Sequence, residues 1–205
     1  MKIADVATYM EREELDMENG PQDQYAASLG GILMLRYNGR KVNVERVKVK
    51  DDMIFEMEKN FLLCYLSSED VAGDVNAQTV SGYEKGDKRV VGAIKNIKSI
   101  TFDMYKCLRR GDFDGFSNLL NEENKNREIL NKSIVTPNCK KFINLGLKNG
   151  AAAAKILGSG AGGTLLFCAK ENQRERLANA LAKNGGVVFD FRFDFRGLEV
   201  WEKNI

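Results

Sequence analysis

The 205 residues include no histidine. That absence excludes Ser-His-Asp triads, Cys-His dyads and every metal site built on imidazole. Cysteine is sparse, and Cys64, Cys107, Cys139 and Cys168 are scattered without a Cys-x-x-Cys pair. They read as buried free thiols in a reducing cytoplasm, and any metal here would be a hard cation on oxygen ligands, which points to Mg²⁺ and phosphate chemistry. Charge of one sign is missing as well: 31 Lys+Arg face 29 Asp+Glu, leaving +2, too little for a nucleic-acid binder driven by bulk charge. No apolar run approaches the roughly 20 residues of a bilayer crossing, so no membrane partner is expected. The first residues, MKIADVATYMEREE, turn acidic where a signal peptide needs its apolar stretch. What remains is 43% apolar and 29% charged, the composition of a globular chain with an adequate core.

Along the chain, residues 3–15 place Ile3, Val6, Ala7, Met10 and Leu15 at helical spacing, with Glu11, Glu13 and Glu14 near the end. Asn19-Gly20 breaks this helix. Pro21 then sits at a first helical position, capped by Asn19 or Gly20, and the short helix QDQYAASL stops at Gly30-Gly31. Extended runs at 32–37 and 42–49 flank Asn38-Gly39-Arg40, a hairpin signal. FLLCYL at 61–66 reads as a strand, and the polar, Gly-dotted stretch from Ser67 to Lys88 reads as mobile or ligand-facing. Helices are expected over 89–110, 113–129 and 139–148, the last opened by Thr136-Pro137-Asn138. After AAAAKILGSGAGG come the strand TLLFCA, a helix at 173–183, the strand VVFDFRF and a short strand around 198–201. From Phe61 onward the order suits an α+β sandwich with a ferredoxin-like sheet covered by helices on one face. The first 50 residues carry too little apolar surface to stand alone.

Two motifs carry chemistry. The tract Gly158-Ser159-Gly160-Ala161-Gly162-Gly163 lets backbone N–H groups approach an anion without Cβ clashes. Gly158-x-Gly160-x-x-Gly163 satisfies the dinucleotide fingerprint as a pattern, but a strand follows it where that fingerprint needs a helix. A close-packed turn between helix and strand is the plain alternative. The second motif is Gln22-Asp23-Gln24. Asp23 falls in the first turn of a helix, where unpaired N–H groups favour the ionised form. It either stabilises its own helix or orients the proton of a substrate hydroxyl. A helix–turn–helix reversal would bring Glu11 near it, one carboxylate holding Mg²⁺ and the other positioning the nucleophile.

Together, Glu11-Arg-Glu-Glu-Leu, Gly20-Pro-Gln-Asp23-Gln24-Tyr-Ala-Ala-Ser-Leu-Gly-Gly31 and the tract Lys155-x-x-Gly158-x-Gly160-Ala161-Gly162-Gly163 resemble the GHMP small-molecule kinases. The likeness covers nearly the whole chain and is greatest to the branch of D-glycero-D-manno-heptose 7-phosphate kinases and related sugar 1-kinases. The resemblance implies a ferredoxin-like GHMP C-terminal domain over residues 51–205, preceded by a remnant of the ribosomal S5-like N-terminal lobe over residues 1–50. It implies ATP-dependent phosphorylation of a sugar or sugar-phosphate hydroxyl, the anomeric one, with ATP and Mg²⁺ as cofactors. Asp23 matches the aspartate that polarises the acceptor hydroxyl. Glu11 matches a Mg²⁺-holding carboxylate, with Glu13 as a neighbouring competitor. Gln22 and Gln24 match sugar contacts, and Gly158 to Gly163 the loop around the nucleotide phosphates.

The family's Pro-x-x-x-Gly-Leu-Gly-Ser-Ser-Ala phosphate loop is not among these residues. Where the branch has a Thr/Ser-rich turn with an arginine, the sequence reads Ser67-Ser68-Glu69-Asp70. The expectation is therefore the C-terminal part of a sugar kinase, completed by a separate N-terminal half or paired as a homodimer. The alternative is a non-catalytic interaction module of the same descent.

Overall fold

The computed structural model describes residues 2–17, 20–39, 41–67, 75–160 and 162–202. Its contacts divide the chain into two compact units, Met1–Val49 with Arg192–Ile205, and Lys50–Phe191. The second unit was expected to run to residue 205. Instead, the chain from Arg192 groups with the first unit.

In the first unit, α1 (Lys2–Tyr9) runs into one π-helical turn, Met10–Glu14, closed by a 3.0 Å bond from Leu15 N–H to the Met10 carbonyl. The chain then reverses into α2 (Gln22–Leu29), which packs on α1. Pro21 occupies the cap position itself, so the helix begins one residue later than the proline signal suggested; Asn19 lies outside the described residues. Strands β1 (Leu33–Asn38) and β2 (Lys41–Arg46) form an antiparallel hairpin, and Arg40 of its turn also lies outside the description. The C-terminal segment is tied here by Gly31 N–H to the Asp194 carbonyl (2.6 Å) and Leu198 N–H to the Ser28 carbonyl (3.2 Å). Gly30 (φ +66°) and Gly197 (φ +77°) bring the two backbones so close that a Cβ on Gly30 would stand 2.5 Å from the Gly197 nitrogen. No strand forms around Leu198–Trp201, since this stretch bonds to the end of α2 and not to a sheet.

The second unit is built from α3 (Asp51–Asn60), β3 (Phe61–Leu66), α4 (Val75–Glu84), α5 (Lys88–Arg110), α6 (Phe113–Leu130), α7 (Pro137–Lys148), β4 (Ala151–Ile156), β5 (Gly163–Ala169), α8 (Arg174–Lys183) and β6 (Val187–Phe189). Its sheet has the order β4-β5-β3-β6 with every pair antiparallel, the ferredoxin-like arrangement expected. Leu62, Cys64 and Leu66 of β3 and Leu165 and Phe167 of β5 share one core with Cys139 and Phe142 of α7 and Leu177 and Leu181 of α8. Gly146 lets α7 lie directly on the Phe167 ring, because a Cβ there would overlap it. Phe61, one residue out of that alternation, meets Phe113, Phe116 and Phe191 at centroid distances of 5.7, 6.4 and 6.4 Å.

The predicted helix breaks are where the sequence places them. Asp112 caps α6 by accepting from Gly115 N–H at 2.8 Å, after Gly111 in the left-handed region ends α5. Thr136 caps α7 by accepting from Cys139 N–H at 3.2 Å, with Pro137 as its first residue. Two helices were not foreseen. α3 has acids in its first turn, Lys59 in its last, and Met53 and Met57 buried one turn apart. α4 occupies part of the stretch expected to be mobile; residues 68–74 before it lie outside the description. The tetra-alanine run is a strand despite alanine's helix propensity, because Ala151, Ala153 and Ala154 are buried in the sheet. The glycine-rich tract therefore links two strands, not a helix and a strand. No helix among the described residues is long and apolar enough to cross a membrane.

Candidate active site

The candidate residues fall in both units. Glu11, Gln22, Asp23 and Gln24 belong to the first, and Gly158 to Gly163 to the second. Each group has its own geometry.

In the first unit the reversal between α1 and α2 joins Glu11 to Gln24, whose side-chain N–H donates to the Glu11 carboxylate. The residue that meets Glu11 is thus Gln24, the neighbour of Asp23. Glu11 sits in the π-helical turn, a local widening of the helix that recurs at functional positions. Both side chains are half-buried, and Gln24 Oε1 is buried without a hydrogen-bond partner among the described residues. Asp23 is exposed in the first turn of α2, and Gln22 is exposed beside it. Asp23 is felt by Tyr37 on β1: burial first, and then the Asp23 charge, push the Tyr37 phenol up. The anchor of the arrangement is Tyr25, which is buried and donates its O–H to Asp5 of α1. Burial, followed by that bond, pushes the Tyr25 phenol up to about 12.

Among the described residues no three His, Cys, Asp or Glu side chains cluster to hold a metal. The Glu11 carboxylate and the orphaned Gln24 amide oxygen are nevertheless an oxygen-only pair. That suits a cation such as Mg²⁺, which takes one or two protein ligands and completes its shell with phosphates and water.

In the second unit the glycine-rich tract is the β4–β5 hairpin loop, closed by Leu157 N–H to the Thr164 carbonyl at 2.9 Å. Gly158, Gly160, Gly162 and Gly163 all take positive φ, from +63° to +115°. At Gly160 packing adds a second demand, since a Cβ would lie 2.6 Å from Ile134 Cγ2 and 2.8 Å from its carbonyl oxygen. A Cβ on Gly158 or Gly163 would meet nothing within 4 Å, so that side of the loop is open. Gly158 and Ser159 are exposed, and Ala161 lies outside the described residues. The amides of Gly158, Ser159 and Gly160 find no acceptor among the described residues.

Sequence reasoning missed what holds this loop. Asn121, Asn124 and Arg127, spaced three apart on α6, bond to the outer edge of β4. Asn121 donates to the Ala152 carbonyl at 2.9 Å and accepts from Ala154 N–H at 3.1 Å. Asn124 accepts from Ile156 N–H at 3.0 Å. Arg127 donates to the carbonyls of Ile156 (3.0 Å) and Gly158 (2.5 Å). Beside it, Lys155 and Glu123 form an ion pair largely shielded from solvent. Burial pushes the Lys155 ammonium down, while Glu123 opposes the shift. Polar residues repeating at helical spacing were the available signal, but that pattern also describes an ordinary solvated face.

Residues 104–187, from α5 to the start of β6, match the family model for the C-terminal domain of GHMP kinases. The chain is 30% identical over 201 residues to D-glycero-alpha-D-manno-heptose 7-phosphate kinase of Campylobacter jejuni, covering 98% of this chain and 59% of that protein. A crystal structure of a Campylobacter jejuni protein assigned as a sugar kinase superposes with a TM-score of 0.71 at 26% identity, over 97% of this chain and 56% of the other. L. major mevalonate kinase, solved with R-mevalonate, shares the fold at a TM-score of 0.70 and 15% identity, over 94% and 57% of the two chains. Over residues 104–187 the chain is thus similar to the C-terminal domain of the GHMP kinases. It spans well under two thirds of each of these three relatives.

Proposed function

We propose that this chain is part of an ATP-dependent kinase that phosphorylates a hydroxyl of a sugar or sugar phosphate. The observation that carries the reading is the 30% identity to a heptose 7-phosphate kinase along 98% of the chain. The joining of Glu11 to Gln24 beside Asp23 supports it.

In this reading Asp23 orients the acceptor hydroxyl and accepts its proton late in the transfer. Phosphoryl transfer passes through a loose transition state that needs positioning more than a strong base, so an ordinary carboxylate suffices. Gln22 and Gln24 contact sugar hydroxyls. Glu11 would hold Mg²⁺, which supplies neutralisation of phosphate charge when bound. The loop from Gly158 to Gly163 offers its unclaimed amides to the phosphates. Residues 1–50 act as part of an N-terminal lobe, and the ATP phosphate loop belongs to the portion of the kinase fold outside this span.

The test is calorimetric titration of the full chain with Mg²⁺ and a non-hydrolysable ATP analogue, then with sugar phosphates. ADP release is measured with the N-terminal portion of the kinase fold supplied. Binding heat that disappears when the glycine loop is altered is expected. Asp23→Asn is expected to cut turnover by about 10²-fold or more, with sugar affinity and melting temperature unchanged. Full turnover by Asp23→Asn would remove Asp23 from the mechanism. Absence of both heat and turnover would favour a non-catalytic interaction module.

A further inference from the structure

We propose that Arg127 is a positioning residue: it fixes the peptide between Gly158 and Ser159 so that the Ser159 N–H faces away from α6, as a free donor to a phosphoryl group. The nature of the anion rests on the kinase reading above; the geometry of the peptide does not.

The argument begins with peptide planarity. In a trans peptide the carbonyl of one residue and the N–H of the next point to opposite sides, and no peptide bond among the described residues is cis. Arg127 takes the carbonyls of Ile156 and Gly158 onto the α6 side. The N–H groups paired with them belong to Leu157 and Ser159, and both must point the other way. For Leu157 this is observed, since its N–H reaches the Thr164 carbonyl across the hairpin. For Ser159 the same rule leaves a donor on the outer side with no acceptor among the described residues. Gly158, at φ +63°, adds no side chain to block that side. Ile134 packs closely against Gly160 and so adds a second constraint on the loop.

Arginine is the residue type this task requires. Its planar fork holds two carbonyls in a fixed relation, which a single ammonium cannot do. Its charge is offset by Glu123, whose carboxylate pairs with Lys155. The guanidinium therefore remains in place as a donor while the Ser159 N–H is left on the outer side.

The test uses the ¹⁵N-labelled full chain, with inorganic pyrophosphate as the probe, in the wild type and in Arg127→Met and Arg127→Lys. In the wild type, pyrophosphate should move the Ser159 amide resonance. Arg127→Met should speed hydrogen exchange at Leu157 and weaken pyrophosphate binding about tenfold, the usual cost of losing a charged hydrogen-bond donor. Arg127→Lys should fall between the two. The amides of Ala154 and Ile156, held by Asn121 and Asn124, report whether the fold has survived. If they also move in the methionine variant, the lysine variant decides: intermediate affinity supports the proposal and wild-type affinity overturns it. Wild-type exchange and affinity in Arg127→Met would likewise overturn it. If Arg127 orders the loop but pyrophosphate leaves Ser159 unmoved, the kinase reading fails while the positioning of the peptide stands.

Discussion

Leu177 and Leu181 of α8 are completely buried, whereas Ile3, Val6 and Tyr9 of α1 each stand more than half exposed. Both helices carry an apolar stripe at helical spacing, and only one of them uses it. In the second unit the stripes of α7 and α8 close over the sheet. In the first, Ala4 and Tyr25 are the buried residues of the α1–α2 pair, and the larger side chains of α1 face solvent. A large contiguous apolar face left in water marks a surface shaped for contact. The second unit thus reads as self-sufficient and the first as an element of something larger.

The sharpest way to break this comparison is to delete apolar bulk on each side. Phe167→Ala should cost about 3–5 kcal/mol, the usual range for a fully buried ring, and chemical denaturation would measure it. A loss below about 1 kcal/mol would show a loosely packed second unit and erase the contrast.

A pH titration should separate the two units at the alkaline end. Burial pushes Cys64 and Cys168 from the ordinary thiol value of 9.0 up to about 11. Their neutral forms therefore favour the folded state fully below pH 9.0, and that contribution is lost as pH rises towards about 11. For Tyr25 of the first unit the contribution is full below 10.0 and lost towards about 12. Thiolate and tyrosinate absorbance, followed beside unfolding, should show the second unit weakening first. Tyrosinate from Tyr25 appearing before either thiolate would contradict the order.

The smallest effect is expected on α1. Val6→Glu should change stability by no more than about 0.5 kcal/mol, because an exposed side chain loses little on replacement. A loss of about 2 kcal/mol or more would mean the face is already covered in solution, and light scattering would then show whether a second copy covers it.

Much of this architecture was legible in the sequence. Gly111-Asp112 and Thr136-Pro137 punctuate helices by local chemistry, which needs no tertiary context, and the long α5 stripe is periodic enough to read directly. Ala151–Ile156 was not legible, because four alanines become a strand only when a sheet and two helices bury them. The short α3 was missed because two buried methionines one turn apart make a weak periodic signal. For the site, the glycine tract and the acids of the α1–α2 corner could be picked out by composition and capping logic. Which amide would meet Glu11 depends on how the reversal is wound. That Arg127 would reach past its own helix to the carbonyls of Ile156 and Gly158 depends on strand register, and no single-sequence pattern encodes that.

The ladder of Asn121, Asn124 and Arg127 on β4 has a consequence for assembly. The sheet ends in two strands, β4 and β6. An open strand edge is a template for further strands, whether from a domain-swapped copy or a growing fibril. On β4 the Ala152 carbonyl, the Ala154 N–H and both backbone groups of Ile156, which such a strand would need, are already occupied by side chains of α6. The remaining edge, β6, is only three residues long. The residues that steady the glycine loop thus also stop the sheet from growing on that flank.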